Sequence, residues 1–266
     1  MVRQPAVAGQ FYPGNRQALV EQMQKLISGS VNKKDVVGAM VPHAGYMYSG
    51  RVAGEVYSRL TSSETYVVIS PNHTGYGSRF AVSSESWNTP IGEVEVDAEL
   101  VDLVRKNTDL VEDDPEAHVY EHSVEVQIPF IQTVAPKAKI LPLTVQRAGI
   151  EQLCEVSGAL STSVKDLQRD VTVIASSDMT HYESRRSASE KDKLAIQKIL
   201  DLDPEGLIEM VEARNISMCG YVPVAMMLMY SKDMDAGESE LIRYTDSGEV
   251  TGDTEQVVGY AGIIIF

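Results

Sequence analysis

Three of the five histidines in this 266-residue chain stand directly after short apolar runs. Val36–Val41 leads into Pro42-His43, Tyr66–Ile69 into Ser70-Pro71-Asn72-His73, and Val171–Ala175 into Ser176-Ser177-Asp178-Met179-Thr180-His181. Strands of a parallel sheet are buried on both faces and read as continuous apolar runs; ligands bind beyond their carboxyl ends. Imidazoles repeated at that position supply the nitrogen donors of a transition-metal site, or the acid and base of a proton-transfer site. Taken one at a time, His43 and His73 equally suit histidines hydrogen-bonded in tight turns; it is their repetition that points to one shared site.

Asp178 and His181 stand at i, i+3. On a helix they would share a face, and the carboxylate would orient the imidazole and raise its basicity. The competing role for Asp178 is a helix N-cap. His122 and Glu125 repeat the spacing at another expected helix start, where Glu125 suits a first-turn carboxylate complementing the helix dipole. Cys219, between Met218 and Gly220, precedes an apolar helix. It is either a small buried hydrophobe or, near a helix N-terminus, a thiolate able to ligate metal or act as a nucleophile. Cys154, among Leu153 and Val156, reads as core, and His118, after an acidic turn, as surface. Two or three imidazoles with a carboxylate or thiolate form a set for first-row transition metals rather than for oxygen-seeking Mg²⁺.

The elements that must position these residues alternate. Helical spacing predicts helices over residues 16–27, 49–60, 98–106, 149–167, 187–200, 204–213 and after Gly220 through Tyr230, with Asp97 as a cap. Residues 80–82 and 94–96 flank Trp87-Asn88-Thr89-Pro90-Ile91-Gly92 in a strand-rich excursion. Residues 138–145 read as a strand near a sheet edge because Pro142 interrupts it. Residues 241–244 and 257–266 close the chain as strands. The alternation predicts an α/β fold, a single domain over residues 1–266 with a mostly parallel central sheet flanked by helices.

Composition narrows the function classes. An apolar fraction of 43% with 23% charged residues is that of a globular protein. A net charge of -15 without a basic run argues against nucleic acid. No stretch approaches the roughly 18 apolar residues of a membrane span. The N-terminal residues lack a signal-peptide layout, so a cytoplasmic location is expected. Two cysteines cannot build a disulfide framework.

At these motifs the chain resembles the Memo family. The resemblance runs nearly end to end, through Pro5-Ala6-Val7-Ala8-Gly9-Gln10-Phe11-Tyr12-Pro13, Pro42-His43-Ala44-Gly45-Tyr46, Ser70-Pro71-Asn72-His73, Trp87–Gly92, Glu121-His122-Ser123-Val124-Glu125, Ser176–Tyr182 and Cys219-Gly220. That family is similar in fold to the class III extradiol ring-cleavage dioxygenases, non-haem iron enzymes. The resemblance implies metal binding at His43 and His73, with Cys219 where those dioxygenases supply a carboxylate ligand. It implies an acid/base role at His181, with Asp178 beside it and His122 lining the pocket. A thiolate in place of a carboxylate softens the site toward copper, zinc or electron-rich iron. Iron or copper is the expected metal, with zinc as an alternative. By family association a radical-SAM partner or a peptide ligand is also implied. Three readings follow: a metal-dependent, dioxygenase-like oxidoreductase acting on a small molecule; a non-catalytic peptide- or ligand-binding module; and a hydrolase with Cys219 as nucleophile and His181 as base.

Overall fold

The computed structural model describes residues 2–266. Its strands in chain order are β1 (Val2–Arg3), β2 (Gly38–Val41), β3 (Thr65–Pro71), β4 (Phe80–Val82), β5 (Ser86–Thr89), β6 (Gly92–Val94), β7 (Val111–Asp113), β8 (Lys139–Val145), β9 (Val171–Ser176), β10 (His181–Glu183), β11 (Ser239–Asp246) and β12 (Val257–Ile265). Nine form one mixed sheet in the order β10-β12-β2-β9-β3-β8-β4-β7, with β11 also pairing to β12; β1, β5 and β6 form a small second sheet. The centre, β2-β9-β3-β8, is parallel, as expected of strands buried along their length. Both flanks turn antiparallel, at β12 and at β4. The result is a single α/β domain with helices against the sheet.

The helices follow their apolar periodicity. Arg16–Leu26 is capped by Asn15 and buries Leu19 and Met23; Ala98–Asn107 is capped by Asp97, whose side chain accepts from Leu100 N. Tyr221–Asp233 is apolar nearly all round and is buried on most of its surface, against β2, β3 and β9. Among the described residues, no helix is long and apolar enough to cross a membrane.

Several expectations are corrected. β8 stands near one edge, two strands in from β7, but is paired on both sides, between β3 and β4. Pro142 is tolerated because β4 pairs only with Leu143–Val145, while a separate bridge holds Ile140. The proline, lacking an N–H, falls in the gap between them. Cys154 is exposed rather than core. The buried stripe of its helix, Ile150–Leu167, runs through Leu153, Val156 and Leu160, and one step from Leu153 turns a side chain about 100° away. His118 is fully buried rather than on the surface, with its Nε2 3.0 Å from the Ala81 carbonyl. No helix begins at Asp178; the chain passes instead into β10, so Asp178 and His181 do not share a helical face.

Candidate metal centre

Strand order brings the motifs together. β9 lies between β2 and β3, and Val41 pairs with Ser176 across the β2–β9 ladder. His43 and Asp178 each stand two residues beyond that pair, so they meet: Asp178 Oδ1 accepts from His43 N at 2.8 Å. His73 follows β3 on the other side of β9. His122 is supplied by the segment after β7 and is held at the edge of the short turn that opens helix Ile128–Val134.

The donor atoms of His43, His73 and His122 lie within 4.8 Å of one another. His43 is buried, while the side chains of His73 and His122 are 33% and 23% exposed. Their tautomers follow from their partners. Ser176 Oγ donates to the Ser123 carbonyl at 2.7 Å and accepts from Gln127 Nε2, so His43 Nδ1, 3.0 Å away, must donate to it. His43 Nε2 is then left with a bare lone pair. His73 Nδ1 lies 3.0 Å from Glu121 Oε1, which also accepts from Ser123, while Glu121 Oε2 accepts from His73 N at 2.6 Å. His122 Nδ1 lies 3.5 Å from the same Glu121 oxygen. The Glu121 carboxylate thus orients the His73 ring, an arrangement that fixes a metal ligand's tautomer and aim, and lies close to His122 without a hydrogen bond to it. Burial would raise the Glu121 carboxyl, but the His73 and Ser123 hydrogen bonds outweigh it and hold the group well below the usual carboxylate range. Burial, reinforced by the neighbouring imidazoles, pushes His43 well below the ordinary histidine value, and burial lowers His122 as well. Both are neutral at neutral pH and available as ligands.

Cys219 Sγ lies 3.2 Å from His43 Nε2 and accepts from Asp178 N at 3.3 Å. Gly220 permits this approach, since a Cβ there would fall 2.4 Å from the Ser176 carbonyl oxygen and 2.5 Å from Ser177 Cβ. Burial, with the Asp178 charge, pushes the thiol up. Burial also raises Asp178, to about 6, against the hydrogen bond from His43 N.

His43, His73, His122, Asp178 and His181 line one cavity of about 410 Å³ together with Phe11, Tyr48 and Tyr260. His181 donates from Nδ1 to the Ser217 carbonyl at 2.9 Å, so that carbonyl rather than Asp178 orients its ring. Cys219 opens onto an adjoining cavity of about 430 Å³ with Asn72 and Tyr221, so the Cys219–His43 contact separates the two. A larger hollow of about 610 Å³ lies at the amino ends of β3 and β8, at the opposite end of the strands from these histidines.

Sequence reasoning missed Glu121. Its neighbour His122 and the i, i+3 partner Glu125 drew attention instead, although a carboxylate adjoining a candidate ligand was a readable signal. Glu125 opens the short turn Glu125–Gln127, but its carboxylate is taken up by other partners. It is fully buried, pairs with Arg3, and accepts from Ala6 N, Val7 N and the Tyr12 hydroxyl.

Fold and site together define an α/β domain with a histidine cluster, at the carboxyl ends of parallel strands, that could hold a metal ion. The chain belongs to the Memo family, whose profile, described as Memo-like protein, matches residues 3–264. It is 44% identical over 266 residues to a MEMO1 family protein of Methanosarcina mazei, covering 99% of both chains. A MEMO1 family protein of Archaeoglobus fulgidus is 42% identical over 263 residues, again covering 99% of each. Among solved structures, an uncharacterised protein of Escherichia coli K12 superposes with a TM-score of 0.54 at 13% identity, covering 85% of this chain and 98% of that one. That likeness is one of fold.

Proposed function

We propose that this protein is a metal-dependent, dioxygenase-like oxidoreductase whose metal, iron or copper, is held by His43 and His73 with Cys219 and His122 completing the donor set. The observation that carries this reading is the convergence of three imidazoles within 4.8 Å, two of them with Nδ1 committed to Ser176 and Glu121. Nitrogen and sulfur donors of this kind fit a borderline or soft first-row metal; zinc would fit the geometry but brings no redox couple. A bound iron or copper would supply Lewis acidity and one-electron chemistry.

The chain's own residues would do the rest. Phe11, Tyr48 and Tyr260 give the cavity an aromatic wall suited to a small organic substrate and limit water around the metal. The ring of His181 is locked through Nδ1, which leaves Nε2 to exchange a proton with a substrate group in the cavity. The Asp178 carboxylate fixes the His43 backbone and faces the same space.

Metal analysis of protein purified without a tag or added metal tests the assignment. Near-stoichiometric iron or copper, lost in a His43→Ala/His73→Ala double variant, is expected. A double variant that keeps more than half of the metal would rule out these ligands. A metal-free protein whose crevice still binds a peptide after His181→Ala would favour the non-catalytic binding module instead.

A further inference from the structure

Arg3 is only 7% exposed, yet no feature of the sequence marks it. Its guanidinium reaches three points on one segment: Nε donates to the His118 carbonyl at 3.0 Å, Nη2 to the Glu121 carbonyl at 2.8 Å, and Nη1 pairs with the Glu125 carboxylate. The same group lies over the Trp87 ring, 4.2 Å from its centroid. That segment carries Glu121, whose carboxylate holds His73, and His122 itself. The Glu125 carboxylate is also bound from the other direction, by Ala6 N at 2.7 Å, Val7 N at 3.0 Å and the Tyr12 hydroxyl at 2.6 Å. Between those anchors the chain places Gln10 and Phe11 on the cavity wall, with the Phe11 ring 4.9 Å from that of His122.

We infer that Arg3 is a positioning residue of the histidine cluster. The planar fork of its guanidinium fixes residues 118–125, which places His122 and aims the Glu121 carboxylate at His73, and the N-terminal segment thereby sets ring tautomer and donor aim. A lysine at this position offers a point charge and cannot span the three acceptors in one plane. The consequence for metal affinity rests on the metal-centre reading above; the consequence for the imidazoles does not.

The test compares wild-type protein with Arg3→Met, Arg3→Lys and a control, Arg169→Met. The control removes the guanidinium paired with buried Asp97 beside Thr65, at the far end of β3 from His73. Imidazole ¹⁵N spectra of the metal-free proteins report ring tautomers, and titration with Co²⁺ alone reports affinity and ligand-field bands. In both Arg3 variants His73 should lose its uniform Nδ1–H tautomer, while His181, tied to the Ser217 carbonyl, keeps its own. Co²⁺ affinity should fall about 10- to 100-fold, as for other supporting groups of metal ligands, with shifted bands. Arg169→Met should change neither readout. Unchanged His73 and His122 resonances in the Arg3 variants, or the same changes in Arg169→Met, would overturn the proposal. If Arg3→Met fails to fold, Arg3→Lys is read against the same criteria. If wild-type protein takes up no Co²⁺ but the Arg3 variants still move the His73 resonances, the clamp stands and the metal reading falls.

Discussion

The Cys219 sulfur lies 3.2 Å from Nε2 of His43, the ring nitrogen that Ser176 leaves free. With its proton, the thiol donates to this imidazole lone pair. Metal–sulfur and metal–nitrogen bonds of about 2.3 and 2.0 Å at a tetrahedral angle put the two donors roughly 3.5 Å apart. Insertion of a metal therefore asks only a few tenths of an ångström of this pair. What it does require is the thiol proton.

Metal uptake should therefore release a proton from Cys219. Burial and the Asp178 charge push that thiol up, so it is protonated at neutral pH, whereas His43 is already neutral. Affinity should climb with pH through the neutral range, and Cys219→Ser should flatten the climb and abolish thiolate-to-metal charge-transfer absorption. Absorbance titrations with Cu²⁺ or Co²⁺ between pH 6 and 8 make the comparison. Equal slopes in the two proteins would exclude sulfur ligation.

Glu121→Gln keeps the shape of the residue that orients His73 but removes its charge. Metal affinity should drop about 10- to 100-fold with the fold intact. Equilibrium dialysis against a competing chelator gives the ratio, and a change below twofold would mean that Glu121 is only a structural residue.

Gly220→Ala would force a Cβ to within 2.4 Å of the Ser176 carbonyl oxygen, which belongs to a central strand and cannot yield cheaply. A loss of about 1–3 kcal/mol in urea unfolding is expected from such overpacking. Metal binding should weaken with it, because Cys219 moves with Gly220.

Acid destabilisation should carry a His118 component. Burial lowers this imidazole from 6.5 to about 4, so the unfolded chain takes up the proton first. Its contribution is complete above about pH 6.5 and is lost as pH falls toward 4, amounting to as much as about 3 kcal/mol. Asp178, raised to about 6, acts with the opposite sign over an overlapping range, so the comparison must be differential. The stability of wild type minus that of His118→Gln, from urea melts at pH 7 and pH 4, should shrink by that amount. A constant difference would mean that His118 does not titrate on unfolding.

The sequence made the central strands legible because β2, β3 and β9 are apolar along their length, and it placed His43, His73 and Asp178 at their ends. At Pro142 the edge argument was incomplete, because a locally unpaired stretch inside a sheet tolerates proline as an edge does. It misled at His118 and Cys154, where exposure depends on which element covers the residue rather than on its neighbours in the chain. The i, i+3 spacing of Asp178 and His181 suggested a helix that does not form, yet both reach the same cavity by separate supports, His43 N and Ser217. Arg3 was invisible, and Glu121 was marked only by its place beside His122, because their roles depend on contacts between distant segments: 48 residues separate Glu121 from His73, and 118 separate it from Arg3.

X-ray anomalous scattering at the iron, copper and zinc edges, from crystals of protein purified without added metal, tests the central claim most directly. A single iron or copper peak within about 2.4 Å of His43 Nε2, a His73 ring nitrogen and Cys219 Sγ is the predicted result. A peak elsewhere, or none at any edge from protein whose metal content is also nil, would contradict it.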